Sequence, residues 1–228
     1  MEVSLFHEPV LLETGGGIKN ISSWIDGRPL LVHNGDIFSS LPLEKLVAAH
    51  EASGLPVTLA VRSTGAEKRV SLDPSRTRVT DLRSQLLHQP GTHVFTGIYC
   101  ANPVLLDLIP PGEAVQVIPA FLDLAAHGLL GAVVLDEGDW LDLGDRDSYL
   151  RAHASLGLGP AIHPQAVVMP GSVVEHSVVG PGAVLEAGAV VRNSVVWPRA
   201  RVLGDARIDH CIVCSSTPVS GVHQQADL

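Results

Sequence analysis

IHPQAVVMPGSVVEHSV (residues 162–178), VGPGAVLEAGAVVRNSV (179–195) and VWPRARVLGDARIDHCI (196–212) align on one another at a spacing of 17 residues. One aliphatic series is Ile162, Val179, Val196 and Val213; a second is Val168, Leu185 and Val202; a third is Val174, Val191 and Ile208. Pro164, Pro181 and Pro198 keep the interval, as do Ala166, Ala183 and Ala200, and also Ser177, Ser194 and Cys211. Within a repeat the aliphatic positions are 6, 6 and 5 residues apart. That spacing describes a coil with three short flat sides, each turning one aliphatic side chain inward. Small residues four places on (Ala166, Ser172, Ala183, Ala189, Ala200, Ala206) fit tight corners. A single coil cannot bury its aliphatic residues, but stacked coils bury them as one continuous column.

Ahead of Leu158 the period changes. Leu30–His33 is a short apolar run leading into Asn34-Gly35-Asp36, and residues 43–53 read as an amphipathic helix closed by Gly54. Strands are predicted at 57–61, 93–99, 130–135 and 140–143, and helices at 18–25, 103–109, 113–127 and 147–154. Alternating strands and helices imply an α/β layer with a mostly parallel sheet. Gly157-Leu158-Gly159-Pro160 is the natural linker. The predicted organisation is an α/β domain over 1–157, a repeat domain over 158–217 and a tail over 218–228.

Of the 228 residues, 46% are hydrophobic and 17% charged, enough apolar material for a true core. The net charge of -9 argues against a nucleic-acid or anionic-membrane partner. A nucleotide substrate remains compatible, because a divalent cation and backbone amides can carry phosphates. The three cysteines, Cys100, Cys211 and Cys214, form no disulfide framework, and with an N-terminus that lacks signal-peptide features they imply a cytoplasmic protein. No apolar run reaches the length of a membrane span. Cys211 occupies the column of Ser177 and Ser194, so it reads as a small corner residue rather than half of a metal or redox pair.

Three stretches can carry chemistry. Leu30 to Asp36 is an apolar strand, a turn and a carboxylate; ligands of open α/β sheets bind outside the carboxyl ends of strands. A hard cation such as magnesium prefers one or two carboxylates with phosphate oxygens, and Asp36 is placed to be one. Asn-Gly-Asp is also ordinary turn chemistry, so the residues alone leave a turn or a cap open. In Trp140-Leu-Asp-Leu-Gly-Asp145, either Asp145 or Asp147 caps the next helix, which leaves Asp142 without an obvious structural task. Thr14-Gly15-Gly16-Gly17 reads as a loop before a helix, where glycines let a ligand approach the backbone.

The repeat resembles the hexapeptide-repeat left-handed parallel β-helix, with three coils complete. The ordered set of motifs resembles the nucleotide-sugar pyrophosphorylases, the sugar 1-phosphate nucleotidyltransferases. His33-Asn-Gly-Asp36 with the following helix is similar to that family's strand, N-G-D and helix. Leu12-Glu-Thr-Gly-Gly-Gly-Ile18 is similar to its L-G-T-G-G-A segment, with Glu13 where a glycine is usual, a variant found in N-acetylmuramate 1-phosphate uridylyltransferases and mannose 1-phosphate guanylyltransferase-like proteins. Phe95-Thr-Gly-Ile-Tyr99 resembles the strand whose glycine lies beside the sugar, and Trp140-Leu-Asp-Leu-Gly144 the W-x-D-x-G segment with the second metal-binding aspartate.

The resemblance implies a Rossmann-like nucleotidyltransferase domain followed by a short left-handed β-helix. It implies that a nucleoside triphosphate and a sugar 1-phosphate are joined with release of pyrophosphate. Gly15, Gly16, Asn34 and Gly97 would bind substrate, and Asp36 and Asp142 would hold Mg2+. The family's G-x-G-T-R phosphate loop and E-E-K-P segment have no counterpart in these 228 residues. Asp81-Leu-Arg83 stands near the latter, with no role assigned to Arg83. The α/β domain is therefore expected to be N-terminally incomplete and its activity impaired. A non-catalytic sugar-nucleotide-binding or regulatory paralogue is the first alternative, and a hexapeptide acyltransferase the second. The flat end of a β-helix also suits stacking into a homo-oligomer.

Overall fold

The computed structural model describes residues 3–228, which divide into two compact units meeting in sequence at Trp140 and Leu141. The first unit contains α1 (Glu13–Asn20), α2 (Ser22–Ile25), β1 (Leu30–His33), β2 (Ile37–Ser39), α3 (Leu43–Ser53), β3 (Val57–Arg62), β4 (Val70–Leu72), β5 (Val79–Leu82), β6 (Val94–Ala101), a 3-10 turn (Pro103–Leu108), α4 (Ile118–Ala126) and β7 (Leu130–Val134). Its main sheet has the order β1-β6-β3-β7.

β3 and β7 run parallel, whereas β6 is antiparallel to both of its neighbours, β1 and β3. The expected mostly parallel sheet is thus a mixed one. The cause is the connection: the chain between β3 and β6 forms the antiparallel hairpin β4–β5 instead of a helix. Without a helical crossover, the returning strand need not run parallel. β3 is buried on both faces. Val57, Leu59 and Val61 join a core with Tyr99, Phe121 and Leu124, and Ala60 joins a second with Leu46 and Ile98. Tyr99 and Phe121 meet edge to face at 5.0 Å.

Two helix boundaries differ from the spacing-based expectation. Residues 113–117 are not helical; Val115 donates to Leu12 O at 3.0 Å and its own carbonyl accepts from Gly15 N at 2.8 Å. α4 starts only at Ile118, with Pro119 in the first turn, where its missing amide costs nothing. The glycines at 15–17 lie inside α1, not in a loop before it.

The second unit opens within β8 (Trp140–Asp142) and continues with α5 (Arg146–Leu156). Asp145 caps α5, its carboxylate accepting from Ser148 N at 2.7 Å, and Gly157 closes it at φ 55°. α5 thus groups with the repeats, and the predicted linker begins at its C-cap.

The repeats form a parallel β-solenoid. β9 (Val167–Val168), β12 (Val184–Leu185) and β15 (Arg201–Val202) make one face. β10 (Val173–Glu175), β13 (Val190–Arg192) and β16 (Arg207–Asp209) make another, and β11 (Val178–Val179), β14 (Val195–Val196) and β17 (Ile212–Val213) the third. Val179, Leu185, Val191, Val196, Val202 and Val213 are wholly buried, as the columns require. Ile162 and Val168 keep the register yet are 41% and 37% exposed, since the first coil has a stacking neighbour on one side only.

The expected tail at 218–228 instead continues the solenoid. Val219 pairs with Val202, and β18 (Val222–Gln224) adds to β16. Here Ile208 faces His223, 15 residues on rather than 17, so the third aliphatic series ends and only Val219, 17 residues after Val202, still marks the repeat in the sequence.

The Ser177, Ser194 and Cys211 column is a hydrogen-bond ladder, not a set of merely small residues. Ser177 Oγ accepts from Ser194 N at 3.0 Å, and Ser194 Oγ accepts from Cys211 N at 2.9 Å. Ser194→Ala would orphan the buried Cys211 amide. It is expected to cost about 1–3 kcal/mol in chemical denaturation, whereas Ser172→Ala, at a half-buried corner where the hydroxyl only donates to the Met169 carbonyl and leaves no amide orphaned, should cost under about 1 kcal/mol. Equal effects would exclude the ladder as a source of stability. Among the described residues no helix is long and apolar enough to cross a membrane.

Candidate functional site

β1 delivers its apolar run to the Asn34-Gly35 turn, which presents Asp36 to solvent ahead of β2. Asn34 N donates to Gly97 O at 3.0 Å, and Ile37 N closes the turn on Asn34 O at 3.3 Å. Gly97, at φ 75°, is in a backbone conformation that favours glycine and is tightly packed: a Cβ there would lie 3.1 Å from both Asn34 Nδ2 and Ile37 Cγ1. The β3–β6 register shifts between Leu59 and Val61, beside this glycine. Buried Thr96 stabilises the irregularity by donating to Ala60 O at 2.8 Å and accepting from Ile98 N at 3.3 Å. The Thr96 carbonyl, turned out of the ladder, accepts from Trp140 Nε1 at 2.8 Å. Ser40 and Asp139 exchange two further hydrogen bonds, at 3.0 and 2.8 Å. Three motifs far apart in sequence therefore converge at one place on the sheet: Asn34–Asp36, Thr96–Gly97 and the approach to Trp140.

Asp142 lies two residues beyond Trp140, in the second unit, with an exposed side chain. One carboxylate oxygen, Oδ1, accepts from Gly144 N at 3.0 Å. Helix capping falls to Asp145, so Asp142 has no cap to serve. Asp36 and Asp142 are both exposed carboxylates following short apolar segments, a donor type suited to a hard cation. Among the described residues no group of three or more His, Cys, Asp or Glu side chains could hold a metal.

Gly15 and Gly16 are buried in α1 against the 113–116 backbone. A Cβ on Gly15 would stand 2.8 Å from Val115 O, so these glycines permit a close approach of the helix to the loop before α4. Lys19, in the same helix, is committed to Leu106 O at 2.7 Å. Cys211 is buried and Cys214 exposed.

Asp81, to which the sequence reading attached no role, is fully buried. Its carboxylate accepts from the amides of Gln85, Leu86 and Leu87 at 2.9, 3.0 and 2.9 Å. Burial pushes its pKa up, but the amides of Leu86, Leu87 and Gln85 outweigh it and hold the group below the usual carboxylate range. Asp81 thereby shapes the loop after β5, in which Arg83 and Ser84 are left-handed and Arg83 reaches Gln116 Oε1 at 3.3 Å. The sequence signal was a lone carboxylate inside an apolar strand.

Residues 160–224 match the family model described as GlmU-like, C-terminal hexapeptide. Over 200 residues the chain is 27% identical to mannose-1-phosphate guanylyltransferase of Mycobacterium tuberculosis, covering 79% of this chain and 55% of that protein. It is 29% identical over 161 residues to the catalytic subunit beta of mannose-1-phosphate guanylyltransferase from Dictyostelium discoideum, covering 66% of this chain and 43% of that protein. The chain is thus similar in sequence to mannose-1-phosphate guanylyltransferases. It spans about half the length, or less, of these relatives. Two solved structures share the nucleotidyltransferase fold. UDP-glucose pyrophosphorylase from Acinetobacter baumanii aligns at TM-score 0.55 and 16% identity, over 66% of this chain and 58% of that one. A putative glucose-1-phosphate thymidylyltransferase from Bacillus anthracis aligns at 0.53 and 15%, over 64% and 62%. The convergence of Asn34, Gly97 and Trp140 falls on the motifs that carry this resemblance.

Proposed function

We propose that this chain carries the sugar- and metal-facing part of a sugar 1-phosphate nucleotidyltransferase site. The single observation that carries the reading is the Asn34–Gly97 contact. It joins the N-G-D turn to the strand likened to the sugar-binding strand, and Thr96 ties that strand to Trp140. In the proposed reaction a phosphate oxygen of the sugar 1-phosphate attacks the α-phosphorus of a nucleoside triphosphate. A new P–O–P bond forms, the bond to the β-phosphate oxygen breaks, and pyrophosphate leaves.

Asp36 would hold a divalent cation, Mg2+ by preference, which when bound offsets phosphate charge and aligns the two phosphates. Asn34 sits beside the cradle left by Gly97 and would contact the sugar. The missing side chain at Gly97 lets Asn34 and Ile37 pack close to the strand and so fixes where Asn34 stands. Gly15 and Gly16 would bring the α1 backbone close to the nucleotide in addition to their packing role. Chemistry of this type depends on positioning and preorganised charge, so the gripping of the triphosphate is a separate requirement.

These 228 residues hold no G-x-G-T-R segment. A polypeptide of this sequence is therefore expected to bind a nucleotide sugar in the presence of Mg2+ but to release pyrophosphate slowly. Asp36→Asn should weaken the Mg2+-dependent binding about 10- to 100-fold in calorimetric titration and leave the melting temperature nearly unchanged, because Asp36 is exposed. Binding that is indifferent to Mg2+ and to this substitution would remove Asp36 from the site. Pyrophosphate release, assayed with five nucleoside triphosphates and a panel of sugar 1-phosphates, would identify the base and the sugar.

A further inference from the structure

At the opposite edge of the sheet from the Asn34–Asp36 turn, a cavity of about 610 Å3 opens between α3, β7 and the tip of the β4–β5 hairpin. Its volume falls in the range of small-molecule sites. β1 and β7 are the two edge strands, three spacings or roughly 14 Å apart, so the cavity is separate from the candidate site. The wall is of two kinds. Ala49, Ala52, Val133 and Val134 give an apolar side, and Arg76 and Arg78 give a cationic rim.

Both arginines lie on a loop built to hold them. The Asp73 carboxylate accepts from the amides of Thr77 and Arg78 at 3.0 Å each and from Ser75 Oγ at 2.6 Å. Arg76 itself is left-handed, at φ 60°, a conformation that a non-glycine residue keeps only when its surroundings impose it. Ala132 N donates to Thr77 O at 3.0 Å, docking the loop on the free side of β7. Among the described residues neither Arg76 nor Arg78 makes a salt bridge, although the chain carries a net charge of -9. Arg76 Nη2 instead meets His93 Nε2 at 3.2 Å, and Arg78 Nη1 is 3.4 Å from Thr77 O. Asp136 acts on Arg76 through space without forming a salt bridge, so two guanidinium groups on a braced loop keep donors for a ligand, and beside an apolar wall they suit an anion with a less polar body. Guanidinium groups favour phosphate, to which they donate two hydrogen bonds at once.

We propose that this cavity binds a phosphorylated small molecule, its phosphate on Arg76 and Arg78 and its body against Ala49, Ala52 and the Val133–Val134 strand. It would act as a second ligand site, remote from the Asp36 turn.

The test is calorimetric titration of the full chain, without divalent cation, against inorganic phosphate, pyrophosphate, a sugar 1-phosphate and a nucleotide sugar. At least one probe should bind. Arg76→Gln, Arg78→Gln and the cavity-filling Ala52→Phe should each weaken it about tenfold or more, and Asp36→Asn should not. Arg76 and Ala52 are exposed, so those two variants report even where Arg78→Gln disturbs folding. Binding of phosphate alone would assign recognition to the arginines, and binding of the organic phosphates only would add the apolar wall; both support the site. An affinity unchanged by Arg76→Gln and Ala52→Phe, or lost in Asp36→Asn, would overturn it, as would the absence of binding by all four probes.

Discussion

Val191→Asp is expected to unfold the solenoid. Val191 is fully buried and stacks in register between Val174 and Ile208, within a buried cluster of Val, Leu, Ile and Ala side chains and Cys211. A carboxylate there has no cation and no donor to satisfy it. Breaking or burying an uncompensated charge typically costs about 3–5 kcal/mol. The unit from Leu141 to Leu228 is small, and in a domain of that size each kcal/mol moves the midpoint by about 4–8 °C. The melting transition should therefore fall by about 12 °C or more, with loss of β signal in far-UV circular dichroism. Val222→Asp is the control, since Val222 lies on the last coil but is 80% exposed; its expected effect is under about 0.5 kcal/mol. If both variants melt like the parent chain, the aliphatic column is not the source of stability.

Asp81→Ala is the second large effect. It removes the acceptor of three amides from a fully buried position, and a charged acceptor contributes more than a neutral one. A loss of about 3 kcal/mol is expected, with faster hydrogen exchange at residues 85–87. Asp81→Asn keeps the size and part of the acceptor capacity and should fall between the two. Because the folded pKa lies below the unfolded value, the carboxylate contributes its full stability above the unfolded pKa of about 4. That contribution drains away as pH falls further, through the folded pKa. The stability gap between the parent chain and Asp81→Asn should thus be widest at neutral pH and narrow below about pH 4. A gap that does not change with pH would mean that the charge on Asp81 is not what holds the loop.

The solenoid was legible in the sequence because its physics is periodic. A coil of fixed length must place an aliphatic residue at every inward position, so Val179, Val196 and Val213 announce themselves by spacing alone. The same logic fails at its end. Two fewer residues in the last coil put His223 beside Ile208 and break the third series, which leaves Val219 as a single aliphatic mark of that coil. Strand and helix positions in the first unit were also local matters: Leu30–His33, the helix at 43–53 and its Gly54 cap follow from apolar spacing and a left-handed closing residue. Strand direction was not. Whether β6 runs with or against β3 depends on what fills the connection, and the β4–β5 hairpin there is short, polar and without clear alternation.

For the candidate site, the sequence determined which residues were chemically suited: exposed carboxylates at Asp36 and Asp142, and glycines where a side chain would obstruct. Only the tertiary structure decided who meets whom. Asn34 and Gly97 are joined by a hydrogen bond across strands, and Thr96 O is free to accept from Trp140 because a register shift turns it out of the ladder. It also decided the burden carried by Gly15 and Gly16, which are needed for backbone contact with Val115 and Glu113, in a loop some hundred residues on. Spacing along the chain reports the environment of a residue's own element. Contacts between elements depend on register and direction, which no local pattern contains.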